Sequence, residues 1–200
     1  MKYNDLFHAN GSFAQTEHYL LRPISPKDKP HYQQLAKAET PAFLQDTGTS
    51  ALAWEDLLAE EHLTCSIFEK ETHRFCGFCQ LQWVFSPTPE LGIDLLPLWQ
   101  KQGVAAEVLP AFLAQAGKLL PIDHFYAKIK KNNIPSQRLA EKIGGICVGR
   151  KSILPSNFPP EMTALAEQEF PDFFFYEYHF PVGKPSLKET KPDSMHKKTM

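Results

Sequence analysis

Apolar residues along this chain fall into short runs whose period switches between two and about three and a half. The first, "EHYLLRPI" (17–24), predicts a strand, and "SPKDKPHYQQLAKAE" (25–39) predicts a helix that starts at a serine or proline. Ala51, Trp54, Leu57 and Leu58 recur at helical spacing within 50–62, with Ser50 as a candidate cap. "LTCSIFEK" (63–70) and "RFCGFCQLQWVF" (74–85) then read as an antiparallel pair turning at 71–73, followed by a strand at "ELGIDLL" (90–96). A helix opens near Gly103, and its Val108, Phe112, Ala116 and Leu119 share one face. Beyond it come a strand at 124–130, a helix at 135–143 ended by Gly144-Gly145, and a strand at 146–154. A helix at 159–170 and an aromatic strand at 172–180 complete the pattern. Neighbouring strands early and a strand–helix–strand–helix–strand centre make this an α/β chain.

Two hundred residues suit one globular domain, here expected over 1–182. The remainder, 183–200, is polar and lysine-rich without an apolar period and reads as a disordered tail. No stretch is apolar enough to span a membrane, and the first twenty residues lack the apolar core of a secretory signal, so a cytoplasmic protein is expected. The tail holds five lysines against Glu189 and Asp193, a net +3, which leaves −5 on the body out of −2 overall. A mildly acidic body argues against nucleic acid as a partner and leaves room for a cationic substrate.

The C-x-x-C of "CGFC" invites a metal or redox reading. On a strand, positions three apart face opposite ways, and no second ligand pair stands at suitable spacing, so buried, inert cysteines and no metal are expected. His124 and His179 likewise read as structural.

"PLWQKQGVA" (97–105) is the most suggestive chemistry-bearing segment. A helix N-terminus presents unpaired N–H groups and a partial positive charge, and a glycine there lets an anion approach the backbone. Val104, Ala105 and Ala106 offer no side-chain cap and no bulk, and Lys101 adds positive charge. Taken by itself the segment is also compatible with an ordinary helix start. Three further observations bear on it. Pro97, Trp99, Gln100, Gly103 and Ala105 resemble the P-x-Y-Q/R-x-x-G-x-G/A motif of the GCN5-related N-acetyltransferase superfamily, with Trp99 at the tyrosine position. The preceding "ELGIDLL" is similar to the central strand of its ribosomal-protein-type branch. "NIPSQRLAEKIGG" resembles that branch's N-x-x-S-x-x-x-x-E-K-x-G segment through Asn133, Ser136, Glu141, Lys142 and Gly144. With the opening strand and helix, the resemblance covers roughly 17–154.

This resemblance implies the fold of that superfamily (GNAT): a mixed, twisted sheet in which the strands at 90–96 and 124–130 splay apart to admit acetyl-coenzyme A. The pyrophosphate would take N–H groups at 102–106, that is Gln102, Gly103, Val104, Ala105 and Ala106, beside Gln100 and Lys101. The pantetheine arm would bond to the backbone of Leu95 and Leu96 like an added short strand. Asn133 would reach the arm from the other side, and Lys142 would approach the adenosine phosphate or stand as a solvated helix lysine. The acetyl carbonyl would be polarised by an N–H near Leu96.

The implied reaction is acetyl transfer to a primary amine, either a small molecule or a protein N-terminus, by direct attack in a ternary complex. A side-chain ammonium with a pKa of about 10.4 is rarely neutral at pH 7, whereas an α-amino group near about 7.7–8.0 is neutral in roughly a tenth to a fifth of molecules. Glu90 is the candidate base, sharing a strand face with Gly92 and Asp94; a surface carboxylate is the plain alternative. Asp94 is a candidate selector of cationic substrates. The tyrosine with which many members protonate the departing thiolate aligns with Ala140, so Ser136 is its implied replacement. Gly145 stands where relatives carry phenylalanine, which would loosen packing or widen the cleft. In the last strand, Tyr176 or Glu177 would touch the amine if the strand forms a substrate wall rather than core. A non-catalytic coenzyme A-sensing module and an empty scaffold are the competing readings. Monomer and homodimer both remain open.

Overall fold

The computed structural model describes residues 11–39 and 54–183. The tail from 184 onward, Ser50 and Ala51 lie outside the described residues. Within them eight strands form one mixed sheet. β1 (Ala14–Gln15), β2 (Tyr19–Pro23), β3 (Leu63–Glu69), β4 (Phe75–Gln82) and β5 (Glu90–Leu95) follow one another as antiparallel neighbours. β6 (His124–Lys130) joins β5 in parallel, and the order closes as β6, β8 (Phe174–Pro181), β7 (Ile146–Ser152). β1 has only two residues and carries no legible period, so the sequence reading lacks it.

Strand alternation assigns the two faces. Tyr32 of α1 (Lys29–Glu39) packs on Phe78 and on Trp54 of α2 (Trp54–Leu57), so these helices cover one face. On the other face lie α3 (Val104–Ala116) and α4 (Ile134–Lys142). Phe112 of α3 meets Phe13, and Tyr178 of β8 reaches Glu141 of α4. The short α5 (Thr163–Glu169) is tied to β7 by the Glu167–Arg150 ion pair. The helix expected over 50–62 is shorter: only 54–57 are helical among its described residues.

α3 is the best anchored of these helices. Val104, Val108, Leu109, Phe112 and Ala116 are all buried, each larger side chain contributing about 1.5–3 kcal/mol relative to exposure. That burial outweighs the interior Pro110, which removes a helix hydrogen bond at a cost of about 3 kcal/mol. The helix ends at Ala116, so Leu119 falls in the following turn and is exposed rather than on the apolar face. A firmly seated α3 fixes the position of its own N-terminus.

β4 carries a bulge near Cys76, because Ile67 pairs with Gly77 while Phe68 pairs with Phe75. Gly77 is required there: a Cβ would stand 2.1 Å from the Asp94 carbonyl oxygen. A bulge bends and twists its strand, and β5, pressed against Gly77, follows β4. β5 and β6 consequently share a single register pair, Glu90 with Tyr126, supported by Tyr126 N–H donating to Pro89 O at 3.1 Å. Beyond it each strand is held by its outer neighbour alone. The sheet opens into a V.

Cys65, Cys76 and Cys79 are buried, and burial pushes their thiols up, Cys76 to about 12. Cys147 corrects the expectation of four buried cysteines. It lies on β7, an edge strand, and is exposed.

Candidate active site

At the V, the hydrogen-bonding alternation along β5 decides which backbone groups are available. Leu96 N–H donates to Cys76 O at 2.9 Å, toward β4. By alternation Leu95 and Ile93 turn their N–H groups toward the gap. The N–H expected to face the gap near Leu96 is therefore that of its neighbour: Leu96 is committed to the sheet and Leu95 is not. The Leu95 carbonyl accepts from Gln100 Nε2 at 2.9 Å.

That bond defines the role of Gln100, which straps the loop 96–103 to the strand. Gln102 does the same through its side chain to Leu98 O. The buried Trp99, with the Arg74 guanidinium 5.5 Å above its ring, pins the middle of the loop. Lys101 and Gly103 then take positive φ, +61° and +84°. At Gly103 a Cβ would meet nothing within 4 Å, so the glycine faces open space. The first helical bond is Glu107 N–H to Gly103 O. The N–H groups of Val104, Ala105 and Ala106 have no acceptor among the described residues, and Gly103 provides no side-chain cap. Glu107, one turn in, is turned aside by His18, whose backbone N–H and ring Nδ1 each lie 3.0 Å from its carboxylate. Burial would raise the Glu107 pKa, but hydrogen bonds from Thr16 and His18 outweigh it and hold it below the ordinary carboxylate value.

A cavity of about 420 Å³ lies against this bare terminus, lined by Leu95, Trp99, Gln100, Lys101, Gly103 and Val104–Ala106 on one side and Asn133, Pro135, Ser136 and Leu139 on the other. A second, of about 370 Å³, runs through the V and shares Ile93, Asp94, Asn133, Ser136 and Leu139 with it. The two form one groove. Asn133 caps α4 with Oδ1, which accepts from Ser136 N–H at 3.2 Å. The helix accordingly starts one residue earlier than expected, and the free end of the carboxamide is the amide nitrogen. Lys142 is exposed and lines neither cavity.

Glu90 sits at the apex of the V. Its Oε2 accepts from Tyr126 OH and from Lys128 Nζ, each at 2.8 Å. Burial and the Glu90 bond raise the Tyr126 phenol; for Lys128, partial burial pulls the ammonium down but Glu90 more than offsets it. One carboxylate oxygen is thus occupied, and Oε1 is the one without a hydrogen bond among the described residues. Gly92 borders Gln80: a Cβ there would lie 3.4 Å from both Cγ and Nε2 of Gln80, an ordinary contact distance. Asp94 lines both cavities.

Two expectations require correction. Tyr176 alternates with the α4-facing Tyr178 and Phe180, so it lies on the opposite sheet face from Glu90; Glu177, paired with Lys128, is the residue that shares Glu90's face. Gly145 does not loosen packing. A Cβ there would stand 2.7 Å from the Ala140 carbonyl oxygen and 2.7 Å from the Phe180 ring, so the glycine lets Phe180 close against α4. Ala140 is buried in the groove wall, which carries no hydroxyl at that point. His124 and His179 stack at 4.2 Å, with His179 Nε2 2.8 Å from Glu177. Sequence reasoning missed Tyr126 and Lys128 as partners of Glu90, and missed Gln80. The only signal for Gln80 was a polar side chain inside an otherwise apolar strand run.

An open mixed sheet, a splayed parallel pair and an uncapped helix start beside the gap define the acetyltransferase fold of the GNAT class. The acetyltransferase (GNAT) domain model matches residues 18–146, well over half the chain, and the protein belongs to this family. Among solved structures it is similar to the ribosomal L7/L12 alpha-N-protein acetyltransferase in complex with coenzyme A, with a TM-score of 0.63, 15% identity and coverage of 86% of this chain and 98% of that one. It is also similar to the spermidine N-acetyltransferase of Vibrio cholerae in complex with CoA and spermine, with a TM-score of 0.59, 12% identity and coverage of 82% and 96%. A GNAT-family acetyltransferase of Bacillus anthracis gives 0.60, 18%, 84% and 98%. No curated protein matches the sequence. Among the described residues no helix is long and apolar enough to cross a membrane.

Proposed function

We propose that the protein transfers an acetyl group from acetyl-coenzyme A to a primary amine, of a small molecule or a protein N-terminus. The observation that carries this reading is the bare start of α3: three N–H groups without acceptors among the described residues, a glycine at φ +84° facing open space, and a continuous groove from there into the V. These features fit a pyrophosphate at one end and an extended thiol arm at the other. The solved relatives bound to coenzyme A support the same use of the fold.

Acetyl-coenzyme A supplies an activated thioester. The Leu95 N–H donates to the acyl oxygen as negative charge develops there. Asn133 donates from its amide nitrogen to the arm while Oδ1 holds α4, and the backbone N–H groups of 104–106 bind phosphate oxygens, with Lys101 adding charge. Ser136, which lines both halves of the groove, donates to the departing sulfur; a thiol with a pKa of about 8.5 leaves without a strong acid. Glu90 Oε1 takes the proton lost by the amine, directly or through water. Asp94 favours a cationic acceptor.

The competing reading, a coenzyme A-binding module without turnover, draws on the wall at Ala140 and the occupied Oε2 of Glu90. Incubation with acetyl-coenzyme A and a panel of primary amines (spermidine and short peptides with free alanine or serine N-termini), followed by thiol release, separates the two. Release that depends on an amine, with acetyl recovered on its nitrogen, upholds the enzyme. Coenzyme binding without release across the panel favours the module.

A further inference from the structure

Buried polar groups in a folded chain find partners, and those that do not call for an explanation. On the Glu90 face of the sheet the register places Ser66, Phe78 and Asp94 in one row across β3, β4 and β5, and Thr64, Gln80 and Gly92 in the next. In the first row the buried Ser66 is satisfied. Ser66 Oγ donates to the buried Asp28 at 3.1 Å, and Asp28 in turn accepts from Arg22 and from Ser25 N–H. The second row is not. Gln80 is only 2% exposed and Thr64 0%, yet Gln80 Oε1 and Thr64 Oγ1 have no partner among the described residues. Gln80 lines the cavity that runs through the V, together with Glu90, Gly92, Asp94 and Ser136. A buried carbonyl acceptor left open costs about 1–3 kcal/mol. The expense is understandable if a ligand completes the bond.

We propose that Gln80 Oε1 is the atom that receives an N–H of the acceptor amine, making Gln80 a substrate-binding residue that orients the nucleophile. The inference rests on the acetyltransferase reading and names who holds its second substrate. Its chemistry suits that task. An amine that donates one N–H to a fixed carbonyl has its lone pair directed elsewhere, and a neutral carboxamide does not favour the ammonium form as a carboxylate would. Gly92 and Gln80 line the cavity side by side, with no side chain between them. Glu90, whose Oε2 is already held by Tyr126 and Lys128, is then free to act as the proton sink through Oε1 rather than as the anchor.

Gln80→Met tests this, because it keeps the length of the side chain and removes the open acceptor. Removal of a polar atom that the fold does not use leaves stability unchanged or improved. The variant is therefore expected to melt at or above the wild type, to bind coenzyme A with unchanged affinity, and to show a KM for the accepted amine (spermidine or a serine-terminated peptide) raised about tenfold, the worth of one buried hydrogen bond. A melting temperature several degrees below the wild type would show that the carboxamide is a structural group and overturn the proposal, as would an unchanged KM. A wild type that does not bind coenzyme A would instead overturn the acetyltransferase reading itself. If the wild type binds coenzyme A but accepts no amine of the panel, the melting temperature decides: a fall refutes an open acceptor, and no fall upholds it.

Discussion

Replacement of Gly103 by alanine separates the anion seat from the fold more cleanly than any other change. At φ +84° an L-residue is held in the left-handed region, at a cost of about 1–2 kcal/mol. Among the described residues no atom lies within 4 Å of the added Cβ, so there is no steric addition to that cost. For a chain of this size the melting temperature should fall by roughly 2–8 °C. The methyl group would, however, stand where an anion must approach the N–H groups of 104–106. Loss of one charge-assisted hydrogen bond, worth about 1.5–3 kcal/mol, should weaken coenzyme A binding by roughly ten- to a hundredfold. Gly144 supplies the control. It has φ +92°, the same open surroundings, and a position at the far end of α4 away from the groove. Calorimetric titration of coenzyme A should show normal affinity in Gly144→Ala and the loss only in Gly103→Ala, at comparable losses of stability. Equal affinities in the two variants would refute the seat at Gly103.

Glu90→Gln should lower turnover with little effect on coenzyme affinity, and cost only roughly 0–1 kcal/mol of stability, because its ion pair with Lys128 is partly solvated; full activity would pass the proton to another group or to water. Asn133→Ser keeps a capping oxygen for α4 but deletes the amide donor, so melting should change little while coenzyme affinity falls; Asn133→Ala should lose both, with the cap worth about 1 kcal/mol. Unaltered affinity in the serine variant would remove Asn133 from the site. The hydrogen bond to Glu107, with that carboxylate's charge, raises the His18 pKa. Since the protonated ring is favoured in the folded state, this contribution is complete below the unfolded value of about 6.5 and disappears as pH rises through the folded one. A proton NMR titration should show the raised value, returning toward the ordinary one in Glu107→Gln; no difference between the two proteins would refute the pairing.

The sequence made the periodic elements legible, because burial on one face leaves a repeating trace. The strand at 124–130 has the bounds expected of it, α3 begins directly after Gly103 as expected, and α4 begins one residue before the expected 135. The helix past 57 and the reach of α3 to Leu119 were overestimated, since apolar spacing continues through turns that the backbone does not. In the site, the cradle was legible because it is local: one loop, one glycine and one helix start. The long-range contacts were not. That Lys128 and Tyr126 converge on Glu90 depends on the parallel register of strands 36 and 38 residues apart in sequence. That Tyr176 and Glu177 face opposite ways follows from strand alternation, but which of them shares Glu90's face is fixed only by pairing with β6. Gly145 looked like a lost phenylalanine; packing shows Phe180 occupying the space against it.

The central claim is that the groove from the start of α3 into the V receives acetyl-coenzyme A. Thermal melting of the full chain with acetyl-coenzyme A, and with coenzyme A and ATP in parallel, tests it most directly. At a hundred times its dissociation constant a ligand stabilises by about 2.7 kcal/mol, which for a chain of this size is roughly 5–11 °C. A shift of that order with both coenzyme A species, and little with ATP, is the predicted result. No shift with either coenzyme A species would make Gly103 an ordinary helix start and contradict the account.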